Sequence, residues 1–236
     1  MSKLVLFDID GTLINPGGAG RISLTNTFYQ MFSIRDAFLD MRMAGKTDIQ
    51  IIKEGLSLHG LSQDDGIMPA IIPVYIENLK RAIGNKRKYI NPGVVELLNA
   101  LRKVEDYWLG LLTGNIEPGA RIKLEAFGLN EYFPVGAFGD DNEDRNKLLP
   151  VVVEKFRKLT RIKMAYADCI VIGDTPSDVK CSKPYGATSI AVSTGPYTYE
   201  SLLKTEADHV LKDLSDAMPL FPILPSHTQE KPSQSD

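Results

Sequence analysis

Near its start the chain reads FDIDGTL, with Asp8 and Asp10 two residues apart at the end of an apolar run and Gly11 and Thr12 behind them. Carboxylates so placed serve two chemistries. They hold a divalent ion, because hard oxygen ligands suit Mg²⁺. They also attack an electrophilic phosphorus and move the proton that a leaving oxygen needs. Two later stretches carry groups fit to join them: LLTGN, with Thr113, Gly114 and Asn115, and GDTPSDV, with Asp174 and Asp178. Pro176 suits the first turn of a helix, which places Asp178 one turn beyond Asp174 and facing the same space. With Asp8 these acids form a cluster that repels itself unless a cation occupies it.

In this pattern Asp8 is the candidate nucleophile and Asp10 the candidate acid and base. Gly11 permits a tight turn that aims backbone N–H groups at a phosphate. Thr113, Gly114 and Asn115 are grouped with the phosphate contacts. A transferring phosphoryl group also calls for a cation. Arg145, in DDNEDRNKLLP, is the first candidate and Lys147 the second, while Lys46, in AGKTD, is placed to meet an anionic substrate.

These residues need elements to position them. The apolar run at residues 4–7 predicts a strand buried on both faces. Further strands are predicted at 108–113, 169–173, 189–192 and 209–211, and helices at 93–104, 119–127, 147–159, 176–183 and 199–204. That alternation implies right-handed crossovers and a parallel, doubly wound α/β sheet. Ligands of such sheets bind beyond the carboxyl ends of the strands, where all three polar stretches fall. Residues 15–88 break the rhythm, with apolar spacing that is helical, as at 22–32 and 50–58. The expected organisation is an α/β core from 1–14 and 89–215, a small helical domain from 15–88, and a loose tail from 216–236 with Leu220 and Phe221 docked on the core.

FDIDGTL, LLTGN and GDTPSDV resemble motifs I, II and IV of the haloacid dehalogenase superfamily of aspartate-nucleophile phosphatases. Their order, with a helical insert after the first motif, is similar to the helical-cap subgroup that includes phosphoglycolate phosphatase-like enzymes. The resemblance implies a Rossmann-like core, a cap domain inserted after the first strand, and Mg²⁺ as cofactor. It makes Asp8 nucleophile and metal ligand, and Asp10 an acid/base that also ligates through its carbonyl. Thr113 binds phosphate, Asp174 ligates, and Asp178 supports or joins the coordination. The third motif of the superfamily is usually a lysine, often followed by proline; here the stretch is Arg145-Asn146-Lys147-Leu148, leaving Arg145 and Lys147 as alternatives. The implied activity is hydrolysis of a small phosphorylated metabolite through an aspartyl-phosphate. A phosphosugar mutase or phosphotransferase, and a non-catalytic binding module, stand as alternatives.

Composition agrees with a globular enzyme. The chain has 236 residues, 43% of them hydrophobic, enough for one sizeable core and a small accessory domain. Thirty acids against 27 bases give a net charge of −3 with no long basic run, which disfavours nucleic acid. No apolar run approaches the roughly 20 residues of a membrane helix. The N-terminus lacks a signal-peptide pattern, so a cytoplasmic location is expected. Cys169 and Cys181 form neither a disulfide framework nor a zinc pattern and read as buried thiols. A monomer or weak dimer is expected.

Overall fold

The computed structural model describes residues 2–64 and 66–221. Along the chain, β1 (Lys3–Phe7) leads through β2 (Ile14–Asn15) to helices α1 (Ala19–Phe32), α2 (Asp48–Leu58) and α3 (Ile67–Ala82). After β3 (Tyr89–Ile90) come α4 (Val94–Arg102), β4 (Tyr107–Leu112), α5 (Glu117–Glu125), β5 (Val135–Ala137) and α6 (Leu148–Thr160). The chain continues through β6 (Cys169–Gly173), α7 (Pro176–Ser182), β7 (Thr188–Val192), α8 (Tyr199–Leu202) and β8 (His209–Leu211).

The main sheet has six strands in the order β5-β4-β1-β6-β7-β8, every pair parallel. This is the doubly wound α/β fold that the sequence predicts. Strand β1 lies inside it, and the side-chain alternation of a strand explains its unbroken apolar run. Val5 and Phe7 point to one face, against Leu97, Leu98 and Leu101 of α4 and Leu124 of α5. Leu4 and Leu6 point to the other, against Leu149, Val152 and Phe156 of α6. Both faces are covered, so neither tolerates a polar residue until the strand ends at Asp8.

Predicted and observed strands of the main sheet agree within one residue, except that β5 carries no sequence signal. Its three residues Val-Gly-Ala are too few and too small to show an alternation, and pairing with β4 defines them as a strand. Helix α3 is also unmarked in the sequence, where Pro69 and Pro73 interrupt the helical signal.

Helices α1, α2 and α3 pack around their own apolar cluster. Phe28 lies at its centre, edge-on to Phe32 and Phe38 with ring centroids 5.3 and 4.6 Å away. The antiparallel pair β2–β3 carries the chain into and out of this helical segment, with Asn15 opposite Tyr89. Ile116, at the start of α5, and Ile122 within α5 join the same cluster, so the segment is seated on α5. Thr47 caps α2 by a reciprocal pair of bonds with Gln50.

Phe221 is buried with its ring 5.8 Å from Tyr107, and Leu220 packs beside it; residues 222–236 of the expected tail lie outside the described residues. Both cysteines are free and buried, and burial pushes each thiol up to about 12. Among the described residues no helix is long and apolar enough to cross a membrane.

Phe28→Ala is expected to lower unfolding free energy by about 3–5 kcal/mol, the cost of a large aromatic cavity. Leu39→Ala, at a side chain 68% exposed, should change it by less than about 0.5 kcal/mol. Urea unfolding of the two variants checks the difference.

Candidate active site

Neighbouring parallel strands end on one edge of the sheet, and this brings the three motifs together. Phe7 is in register with Leu111 of β4 and with Ile172 of β6, so Asp8, Thr113 and Asp174 emerge side by side. The backbone stays paired to the last residue: Asp8 N–H donates to the Ile172 carbonyl at 2.9 Å and Thr113 N–H to the Ala137 carbonyl at 3.1 Å. Asp178 follows on the first turn of α7, and carboxylate oxygens of Asp8, Asp174 and Asp178 all lie within 4.8 Å of one another.

Each acid has a distinct environment. Both oxygens of Asp178 are engaged: Oδ2 accepts from the Thr175 N–H at 3.0 Å and the Thr175 hydroxyl at 2.7 Å, and Oδ1 pairs with Arg145. The same guanidinium reaches Asp8 Oδ1 at 3.1 Å. Arg145 comes from a 3₁₀ turn, Arg145–Lys147, whose start is fixed by the Asp144 side chain accepting from the Asn146 N–H at 3.0 Å. Asp174 Oδ1 accepts from Thr12 at 3.2 Å, while Oδ2 is walled by the backbone of Gly11 and Gly195, where any Cβ would collide with it. Gly11 also has φ +88°, which an L side chain rarely adopts.

Burial raises the Asp8 carboxyl from 3.8 to about 6; Arg145 works against the rise, and Asp178 and Asp10 add to it. Asp174 is pushed well above the usual carboxylate range by burial, then by Asp8 and Asp178. Burial opposes the charge of Arg145, but Asp178 and Asp8 outweigh it and hold the guanidinium protonated. Three buried carboxylates facing one guanidinium leave two negative charges uncompensated if all are ionised. An oxygen-only donor set with that excess fits a hard divalent cation.

A second group borders the first. Asn115 donates through Nδ2 to Asp10 Oδ2 at 2.8 Å and to Thr113 Oγ1 at 2.9 Å. Lys123, whose side chain is 3% exposed, pairs with Asp10 Oδ2 and with Asn115 Oδ1, each at 2.5 Å. From α2, Asp48 donates its N–H to the Gly114 carbonyl at 2.8 Å, and its carboxylate accepts from the Ile116 N–H at 3.0 Å and the Tyr75 hydroxyl at 3.3 Å. Glycine is required at 114, since a Cβ there would strike the Lys46 carbonyl. The N-terminus of α2 is thus seated on the loop that follows β4. Between the helical segment and the sheet edge lies a cavity of about 610 Å³.

Residues 5–192 match the sequence model of the haloacid dehalogenase-like hydrolases. The chain belongs to that family. Relatives extend the match over nearly the whole chain. A probable phosphatase, IndB, of Dickeya dadantii is 27% identical over 224 residues, covering 92% of this chain and 93% of the relative. A phosphoglycolate phosphatase of Agrobacterium fabrum is 25% identical, covering 93% and 92%. Among solved structures, CbbY from Rhodobacter sphaeroides in complex with phosphate superposes with a TM-score of 0.72 at 16% identity, over 92% of this chain and 96% of that one. A hydrolase from Pseudomonas syringae gives 0.69 at 21% identity, over 93% and 97%. At these identities the structures show a shared fold.

In this haloacid dehalogenase-like hydrolase most of the residues picked out from sequence converge. Asp8, Asp10, Gly11, Lys46, Gly114, Asn115, Arg145 and Asp174 line the cavity, with Thr113 and Asp178 buried behind it. Lys147 does not join them: its side chain is 65% exposed and its ammonium lies 3.9 Å from Asp144. Lys46 reaches the cavity while paired with Glu54. Asn115 contacts Asp10 and Thr113. Arg21 donates to the carbonyls of Phe38, Leu39 and Met41, and Arg42 stacks on Tyr197 at 4.9 Å.

Sequence reasoning missed Lys123 and Asp48. For Lys123 a signal existed: the buried positions of α5 are Gly119, Ala120, Lys123 and Leu124, so a lysine stands on the face that packing reserves for apolar residues. Asp48 is indistinguishable in sequence from any acid in a first helical turn.

Burial raises the Asp48 carboxyl from 3.8 to about 6, against the pull of Lys123 and the Ile116 N–H. Between about pH 3.8 and 6 the folded state therefore holds a proton there that the unfolded chain has released. Its contribution to stability is full below about pH 3.8 and lost as pH rises through about 6. Asp48→Asn is expected to flatten the fall in stability across that window, measured by denaturant unfolding; an unchanged slope would remove Asp48 from the account.

Proposed function

We propose that the protein is a Mg²⁺-dependent phosphatase that hydrolyses a small phosphorylated metabolite through an aspartyl-phosphate on Asp8. The observation that carries this reading is Asp8 at the end of β1, sharing one buried space with Asp174 and Arg145, with Asp10 two residues on at the cavity wall. The phosphatase names of the relatives over nearly their full lengths support the same class of reaction.

The carboxylates of Asp8 and Asp174 and the carbonyl of Asp10 would hold the ion, with Asp178 supporting them through Arg145. When bound, the ion supplies positive charge that offsets the carboxylates and the phosphoryl oxygens. Asp8 attacks phosphorus, and the leaving oxygen takes a proton from Asp10 as its bond to phosphorus breaks. Water then attacks the aspartyl-phosphate, Asp10 takes the proton of that water, and Asp8 is freed as a carboxylate. The products are an alcohol and inorganic phosphate. Arg145, already charged and already pointed at Asp8, steadies the transferring group, the role that leaves Lys147 at the surface. Thr113 and Gly114 flank the phosphate oxygens, with Asn115 bracing them. Residues 15–88 serve as a cap over the core of 1–14 and 89–215, excluding water from the chemistry and presenting Lys46 to the substrate.

Purified protein with Mg²⁺ should release phosphate from members of a panel of phosphorylated metabolites, and a chelator should abolish the release. Asp8→Asn is expected to fall to background with an unchanged circular dichroism spectrum. Arg145→Ala should lose about 10²–10³ in kcat, the cost of removing one preorganised charge partner. Normal turnover by Asp8→Asn would overturn the assignment, and a phosphosugar isomer appearing in place of free phosphate would identify a mutase.

A further inference from the structure

We infer that Arg42 selects the substrate by receiving an anionic group on the leaving part of the phosphoester, at the end of an apolar body larger than that of phosphoglycolate. The inference rests on the phosphatase reading and deepens it by naming the substrate class. Five cations line the cavity, Arg21, Arg42, Lys46, Lys123 and Arg145, and four of them are engaged by the protein itself. Arg145 pairs with Asp8 and Asp178, and Lys123 with Asp10. Lys46 pairs with Glu54, and Arg21 donates to the carbonyls of Phe38, Leu39 and Met41. Arg42 is the exception: it is exposed, and among the described residues its guanidinium has neither an ion pair nor a hydrogen bond.

An unpaired arginine in solvent is ordinary, but this one is held in place. Its guanidinium lies over the Tyr197 ring, 4.9 Å from the centroid, and that ring packs against Val179, Ala191 and Leu202. Stacking restrains the arginine through one face of the guanidinium, so the N–H donors in its plane stay free. Their fork matches the paired oxygens of a carboxylate or phosphate. The loop that carries Tyr197 is also tied to the reacting edge: Thr194 donates to the Gly11 carbonyl at 2.5 Å, and Gly195 walls Asp174. Arg42 is thus fixed on the same frame as the phosphoryl site.

The rest of the wall defines the body of the substrate. Leu24, Met43 and Ile51 of the helical segment line the same cavity, an apolar surface that neither a phosphoryl group nor a carboxylate covers favourably. At about 610 Å³ the cavity is of the size that takes drug-sized ligands, far more room than phosphoglycolate fills. A ligand that uses all of these features has a phosphoester for the sheet edge, an apolar body for the helical segment and a second anion for Arg42.

Three sets of esters of matched chain length test this on the full chain with Mg²⁺: ω-carboxyalkyl phosphates, alkanediol bisphosphates and neutral alkyl phosphates. At a length beyond that of phosphoglycolate, the wild type should favour an anionic ester over its neutral partner by about tenfold or more in kcat/KM, the worth of a charge-assisted hydrogen bond. The better of the two anionic sets identifies carboxylate or phosphate as the group received. Arg42→Met should erase the preference, mainly through KM, and Arg42→Lys, which keeps the charge without the fork, should retain part of it. The corresponding phosphonates, which are not hydrolysed, read the same ratio as binding constants by calorimetry. A preference that survives in Arg42→Met, an optimum at phosphoglycolate itself, or equal losses on neutral and anionic esters, the mark of a mere clasp between Arg42 and Tyr197, would overturn the role while Asp8-dependent phosphate release stands. Wild type and Asp8→Asn being alike in the same assay would instead sink the phosphatase reading, and this inference with it.

Discussion

Three aspartates cannot share one buried space without something to balance them. A parallel sheet makes the crowding unavoidable, because β4, β1 and β6 are neighbours and all release their chains on the same edge. Asp8, Asp174 and Asp178 are all buried, so little water is in contact with them to screen their charge. Burial therefore raises the carboxyls of Asp8 and Asp174, and one guanidinium offsets only part of the charge. The rest of the site follows from that imbalance. Arg145 is drawn inward, a 3₁₀ turn is placed to deliver it, and Thr175 locks Asp178 so that the arginine has a fixed anchor.

A second layer of organisation couples this edge to the helical segment. Asp48 takes the Gly114 carbonyl and the Ile116 N–H, so the loop following β4 is held from above as well as from the sheet. Lys123 stands at the same junction, bound to Asp10 and Asn115 and overlain by Gly20. Moving the helical segment would therefore disturb the loop carrying Thr113 and the surroundings of Asp10 together. The helical segment and the carboxyl edge of the sheet are linked through these few contacts.

The sheet and the polar groups gathered at its edge were legible in the sequence because they obey local rules. Continuous apolar runs mark strands buried on both faces, and the acids and the Thr-Gly-Asn stretch stand where such runs stop. The rest depends on partners distant along the chain. Strand β5 exists through its pairing with β4. Arg145 and Lys147 are equally charged in the sequence, and only the turn that carries them turns one inward and leaves the other in solvent. Lys123 stands on the packed face of α5, but which acid it meets is settled only when that helix is docked, and Asp48 gains meaning only once α2 meets the loop at Gly114. Charged residues that face one another across elements leave little trace in spacing.

Calorimetric titration of Mg²⁺ into the wild-type chain and into Asp174→Asn at neutral pH tests the charge imbalance most directly. The wild type should bind a single ion, and the variant should lose affinity severely. A wild type indifferent to Mg²⁺, or a variant that binds it equally well, would contradict the claim that these carboxylates are gathered around a cation.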